Sequence, residues 1–210
     1  MAGHEIEVKL RCADFAAFAH AGITLEVERA RHFEDNWLLD TPAKTLVEKG
    51  STLRVRIVEG EGLLTLKEKA DRIAPASQFK VRIEIETSLG EPQQALEIFE
   101  RLGYQKSFRY QKYRTVYSAT LPGNANRHLK VMFDETPLGE FVELEGEEEA
   151  IQEAVELLGF KPEDYILESY VALQAAHCRK LGRALEDMVF SRTGEREIRN
   201  ISAKMIENIE

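Results

Sequence analysis

His4-Glu5-Ile6-Glu7-Val8-Lys9-Leu10-Arg11 is the stretch whose reading decides the fold. In an extended chain successive side chains point to opposite faces, so Glu5, Glu7, Lys9 and Arg11 share one face and Ile6, Val8 and Leu10 the other. One solvated surface strand could carry that pattern. Its recurrence along the chain, with charges of both signs on the patterned face, is what calls for another explanation.

The same alternation recurs along the chain, in which seven further strands are expected. A second strand is expected over Arg29 to Leu39, stopped by Asp40-Thr41-Pro42, where proline ends regular pairing. Thr52 to Glu59 sets Leu53, Val55 and Ile57 against Arg54 and Arg56. Glu59-Gly60-Glu61-Gly62 turns the chain into Leu63 to Lys69, which aligns Thr65, Lys67 and Lys69. Gln78 to Glu86 opposes Lys80, Arg82, Glu84 and Glu86 to an apolar face, and Tyr110 to Ser118 brings Lys112 and Arg114 together. Arg127 to Asp134 aligns His128, Lys130 and Asp134, and Glu140 to Glu145 aligns Phe141, Glu143 and Glu145.

Helices are expected between and after these strands. They cover Ala13 to Ala21, Pro92 to Gly103, and Glu147 to Gly159, the last opening on acids that suit the positive end of a helix dipole. One longer helix is expected over Pro162 to Leu181, and a short one from about Glu195, with Ile198, Ile201, Met205 and Ile209 at helical spacing. That last stripe wants a partner, either the body of the domain or a second subunit, so a homodimer is an open expectation. The domain division expected is 1–182 for the strand-built body and 183–210 for a helical extension.

Eight strands with short connections, joined to helices, make an α+β protein whose sheet is a sandwich or a closed barrel. A sandwich would leave a mixed polar face to solvent. Here that face is almost wholly ionisable, and its basic residues outnumber its acids although the chain carries a net charge of −9. A surplus of fixed cations suits a polyanion, with arginines able to grip phosphate oxygens in pairs. Carboxylates among them cannot hold phosphate, but can hold a hard divalent cation that bridges to it. The combination describes a metal–polyphosphate site, and an eight-stranded barrel has an interior just wide enough for one small ligand.

The acidic net charge argues against nucleic acid as the main partner. No stretch approaches the ~18 apolar residues of a membrane span, so no membrane partner is expected. Cys12 and Cys178 lie far apart without metal or redox spacing, in keeping with a reducing, cytoplasmic setting.

Several elements then match a known family in order. Glu5-Ile6-Glu7-Val8-Lys9 resembles the ExExK signature of the CYTH superfamily, the triphosphate tunnel metalloenzymes. Asp40-Thr41-Pro42 is similar to its D-T-P, Leu53-Arg54-Val55-Arg56 to its LRxR, Leu66-Lys67 to its lysine-bearing strand, and Arg82-Ile83-Glu84 to its RxE. Lys112-Tyr113-Arg114 resembles its KxR element; Asp134, Pro137, Leu138-Gly139 and Glu143-Leu144-Glu145 resemble its closing pattern, and Ser169-Tyr170 its S-Y. The resemblance spans about residues 4 to 173, with Leu39 standing where an aromatic residue often precedes D-T.

The resemblance implies an eight-stranded antiparallel barrel around a charged, triphosphate-binding tunnel. By position, Glu5, Glu7, Glu143 and Glu145 would hold Mg²⁺ or Mn²⁺, with Glu84 and Asp134 as further metal candidates. Lys9, Arg54, Arg56, Lys67 and Arg114 would hold phosphates, and Glu5, Glu7 and Lys9 would form the catalytic core. Glu86, Lys69, Lys80, Arg82, Lys112 and Lys130 are expected as rim or supporting residues. The activity implied is metal-dependent triphosphate hydrolysis. Alternatives are a class IV adenylate cyclase, a thiamine triphosphatase, and a non-catalytic polyphosphate-binding protein. Trp37, Phe33 or His32 could line an entrance for an organic group.

Overall fold

Eight antiparallel strands close on themselves in the order β1-β5-β4-β3-β2-β6-β7-β8. The computed structural model describes residues 3–11, 15–70 and 77–191, with the side chains of 124–128 left aside. The strands are β1 (Gly3–Leu10), β2 (Thr24–Asp40), β3 (Thr52–Val58), β4 (Glu61–Lys69), β5 (Lys80–Leu89), β6 (Gln105–Leu121), β7 (Asn124–Thr136) and β8 (Gly139–Gly146). β1 closes the barrel by pairing with both β5 and β8, which sets Glu5 opposite Arg82, Glu7 opposite Glu145, and Lys9 opposite Glu143.

The apolar faces of these strands point outward, under helices. Val8, Leu10, Val131 and Leu144 meet Ala150, Ile151, Ala154 and Val155 of α4 (Glu148–Leu157). Leu39, Leu53 and Val55 meet Leu96 of α3 (Pro92–Arg101), whose first position is a proline and which is followed by Gly103 in the left-handed region. Phe18 of α1 (Ala16–His20) joins the first cluster. At ~25 cal/mol per Å² of apolar surface removed from water, these outer clusters hold the barrel together. Its interior is thereby left to polar side chains.

One end of the barrel is closed from within. Leu38, Phe108, Tyr110 and Phe141 share the inward parity of their strands and pack with Tyr170 and Met188 into a third apolar cluster. This is the end at which β1 and β2 finish and β6 and β8 begin. The tight β7–β8 turn there needs Gly139, whose φ of +107° few side chains tolerate, and Thr136 Oγ1 accepts the Leu138 N–H at 3.1 Å.

The structure corrects four expectations. β2 and β6 are longer than their alternation suggests, 17 residues each, because they pair with one another beyond the patterned stretches. A short helix, α2 (Thr45–Glu48), was not expected; Asp40 accepts the backbone N–H groups of Thr41, Leu46 and Val47 and so anchors it. The single helix expected over Pro162 to Leu181 is broken into a 3-10 turn, Pro162–Asp164, and α5 (Tyr170–Lys180), which Ser169 caps. Between them Ile166 pairs with Lys9 of β1, and that tertiary pairing overrides helix continuation.

The fourth correction concerns 183–190, expected as helical. This stretch contains the bridge of Met188 to Tyr110 of β6, and it is not helical. The helix expected from Glu195, like Cys12, lies outside the described residues. No helix among the described residues is long and apolar enough to cross a membrane.

Candidate functional site

The barrel encloses a cavity of about 640 Å³. Strand parity alone determines which side chains reach it. Glu5, Glu7 and Lys9 come from β1, Arg54 and Arg56 from β3, Lys67 from β4, Glu84 from β5, Arg114 from β6, and Glu143 and Glu145 from β8. Every metal- and phosphate-binding residue expected from the sequence lines this cavity except Asp134. Two residues read onto the same face do not reach it: Arg11 sits 4.7 Å over the Phe141 ring, and Lys69 is exposed with its chain against Gly50.

On the wall formed by β1, β5, β4 and β3, charges pair singly or in short chains. Lys67 Nζ donates to Glu5 Oε1 at 2.6 Å and lies 3.3 Å from Glu84 Oε2. Lys80 pairs with Glu7. Arg54 Nη2 donates to Thr65 Oγ1 at 3.0 Å, and that hydroxyl donates onward to Glu86 Oε2 at 2.9 Å. Arg82 spends its Nη2 on the carbonyls of Gly50 and Lys67, at 2.8 and 3.1 Å, which ties β5 to the loop after α2.

The opposite wall, from β2, β6, β7 and β8, is a closed network. Asp134 accepts Lys112 Nζ at 2.8 Å, Arg114 Nε at 2.6 Å and Tyr170 Oη at 2.6 Å. Arg114 also pairs with Glu143, which takes Lys9 Nζ at 3.1 Å. Asp134 therefore stands behind Lys112 and Arg114 with its oxygens occupied. Lys112, expected at the rim, is 2 % exposed at the centre of this network, because it is the Cα partner of the buried Glu34.

The electrostatics differ between carboxylates. Burial pushes Glu5 up and Lys67 pulls it down, but Glu7 and Glu84 add repulsion and the net shift is upward. Burial also penalises Glu7 and Glu143, yet Lys80 holds the first below the usual range, and Lys9 and Arg114 hold the second well below it. Glu5, Glu7, Glu84 and Glu143 are thus close enough to repel one another across a shared space. Their donor chemistry, carboxylate oxygen, suits a hard divalent cation. No three such groups among the described residues already converge as a ligand cage. A cation would take the place that Lys67 and Lys80 hold against Glu5 and Glu7.

Sequence reasoning missed Glu34 and Asn36 on the inner face of β2 and named only His32 there, as a possible entrance residue. His32, Glu34 and Asn36 are all buried there, Glu34 within 3.3 Å of Arg56 Nη1, while Asn36 Oδ1 accepts Arg56 Nε at 3.0 Å. It also missed Tyr110, whose hydroxyl accepts Arg54 Nη1 at 3.3 Å. The available signal was parity counted back from the strand end, since Leu38 and Asn36 alternate with Trp37. Of the three residues considered for an entrance, only His32 faces the cavity. Trp37 packs under Arg109 on the outer wall, and Phe33 against Tyr113.

Comparison with known proteins agrees with this geometry. The CYTH domain family matches residues 3–170. Among solved structures, the chain is similar to a protein of Pyrococcus horikoshii at 24 % identity and TM-score 0.65, covering 82 % of this chain and 99 % of that one. It is also similar to a candidate adenylate cyclase of Vibrio parahaemolyticus at 20 % identity and TM-score 0.63, covering 81 % and 97 %. A Hippeastrum candidate adenylyl cyclase, described as having a dominant triphosphatase activity, matches at 18 % identity and TM-score 0.51, covering 88 % and 98 %. No curated protein matches the chain.

Proposed function

The chain belongs to the CYTH domain family, and from that premise we propose that it is a divalent-metal-dependent triphosphate hydrolase. Its substrate would be inorganic triphosphate or an organic or nucleoside triphosphate, taken inside the charged barrel. The observation that carries this reading is the charge balance of the cavity. Among the described residues, ten lysines and arginines line it, against eight glutamates. That surplus is too small to neutralise a fully ionised triphosphate, so the ligand must bring further positive charge with it.

Glu5, Glu7, Glu143 and Glu145, with Glu84 beside them, would hold Mg²⁺ or Mn²⁺. When bound, such a cation neutralises phosphate oxygens and lowers the pKa of a water. The rest is done by the chain itself. Lys9, Arg54, Arg56, Lys67 and Arg114 grip the phosphates, and their prior fixation by Glu143, Thr65, Tyr110 and Asp134 spares reorganisation as charge develops on the leaving diphosphate. Asp134 acts through Arg114 and Lys112 in this scheme, as an anchor.

A second reading, class IV adenylate cyclase, draws on a separate feature. Val116 and Met132 are apolar side chains facing the cavity, cross-strand partners of one another, and members of none of the three apolar clusters. They offer a surface to the organic part of a nucleotide. Incubation with inorganic triphosphate, ATP or thiamine triphosphate in Mg²⁺ or Mn²⁺, followed by phosphorus NMR, separates the readings. Orthophosphate release is the expected result; cyclic AMP with pyrophosphate means the cyclase, and unchanged substrates reject both.

A further inference from the structure

A site built for a polyanion has no obvious use for a buried anion of its own, yet Glu34 is one. Its side chain is 1 % exposed. Oε1 lies 3.3 Å from Arg56 Nη1 and 3.4 Å from His32 Nε2, and Oε2 lies 3.6 Å from Lys112 Nζ without accepting a hydrogen bond among the described residues. His32 is held in place through Nδ1, 2.9 Å from the Ala30 carbonyl. Burial penalises the carboxylate, but Arg56, Lys112 and Arg114 hold it ionised.

Neutralising Lys112 and Arg114 for folding does not account for Glu34. Lys112 already has Asp134 at 2.8 Å, and Arg114 has both Asp134 and Glu143. Arg56 pairs with Glu34 itself and has a neutral acceptor in Asn36. Without Glu34, the group of Lys9, Arg56, Lys112 and Arg114 faces Glu7, Glu143 and Asp134; with it, four carboxylates. Its effect is to reduce by one charge the positive potential felt by any phosphate beside Arg56.

We propose that Glu34 is a built-in counter-anion that limits how tightly the cation cluster holds phosphate, and so sets the rate at which phosphate and diphosphate products leave. This rests on reading the cavity as a triphosphate site. The physical reason is that fixed cations bind substrate and product oxygens alike. Uniform binding of that kind strengthens the product complex without helping the chemical step. Glu34 acts through Arg56 and Lys112, touching no substrate atom, and is a positioning residue in that sense.

The test has two variants of opposite sign. Glu34→Gln keeps the shape and removes the charge. Asn36→Asp adds a charge beside the same Arg56, and the Asn36 Nδ2 it replaces has no partner to lose. Calorimetric titration of the full chain with inorganic phosphate and with diphosphate, in Mg²⁺, should show Glu34→Gln binding about tenfold tighter and Asn36→Asp about tenfold weaker than the unaltered protein. In turnover, Glu34→Gln should lower KM and kcat together. A residue that merely stabilised the fold would weaken anion binding on removal. Unchanged or weaker binding by folded Glu34→Gln therefore overturns the proposal. Should that variant not fold, unchanged affinity in Asn36→Asp overturns it equally. If the unaltered protein binds neither these anions nor triphosphate, the triphosphate reading itself falls, and this inference with it.

Discussion

The two walls of the barrel use the same residue types in different ways. On the β1–β5–β4–β3 side, Lys67, Lys80, Glu84 and Glu86 keep side-chain exposures of 18 to 39 %; Glu84 answers to Lys67, and Glu86 to the Thr65 hydroxyl and, at 3.9 Å, to Arg54. On the β2–β6–β7–β8 side, Glu34, Lys112 and Asp134 are at 2 % or less, and each of these three serves several partners. A single ion pair in a water-lined cavity is loosely held and can be exchanged for a ligand. A buried network with several partners cannot, because losing one member strands the others in a medium of low polarizability. On the proposed reading, ligand and metal enter along the first wall and its seam with β8, where Glu143 and Glu145 lie, and the buried network of the second wall holds Arg114, Lys9 and Arg56 in place.

Substitutions should separate the walls. The largest effect is expected from the first. Glu5→Gln or Glu7→Gln should lower kcat by about 10³-fold, with the thermal midpoint nearly unmoved in a circular-dichroism melt. Asp134→Ala, on the second wall, should act chiefly on stability. Leaving Lys112 and Arg114 buried without their carboxylate should cost about 3 to 5 kcal/mol of stability, read from urea unfolding. Tyr170→Phe removes the 2.6 Å bond to Asp134 but no charge, and should cost about 1.5 to 3 kcal/mol.

The smallest expected effect is a pH dependence. Glu34 is held below its ordinary range in the folded state, so its contribution is present above the ordinary carboxylate pKa of about 4.3 and lost as pH falls through that value toward the depressed one. Urea midpoints of the unaltered protein should fall over that range, and those of Glu34→Gln should fall less steeply. Parallel curves would mean that Glu34 is not held ionised by its neighbours.

The walls also differed in how far their sequence revealed them. On β1, β3 and β5 the outward face is apolar and the inward face charged, so alternation is visible, and the barrel closes as Glu5, Arg54 and Glu84 require. On β2 it is not visible. Phe33, Asp35 and Trp37 face outward while His32, Glu34 and Asn36 face inward, and both sets are mixed. Irregular register between Val27 and His32 breaks the period further. Glu34 was therefore missed, and the interior read as more basic than it is. The early start assigned to α5 has a different cause. Pro162 is a sound helix signal, and only the pairing of Ile166 with β1 shows why the helix waits for Ser169.

The β1 and β8 carboxylates are the proposed seat of a divalent cation held together with triphosphate. Electron paramagnetic resonance of Mn²⁺ titrated into the full chain with inorganic triphosphate reads this directly. The unaltered protein should suppress the free Mn²⁺ signal, and the doubly substituted Glu5→Gln, Glu7→Gln chain should restore it. Equal uptake of Mn²⁺ by both proteins would contradict the assignment of Glu5 and Glu7.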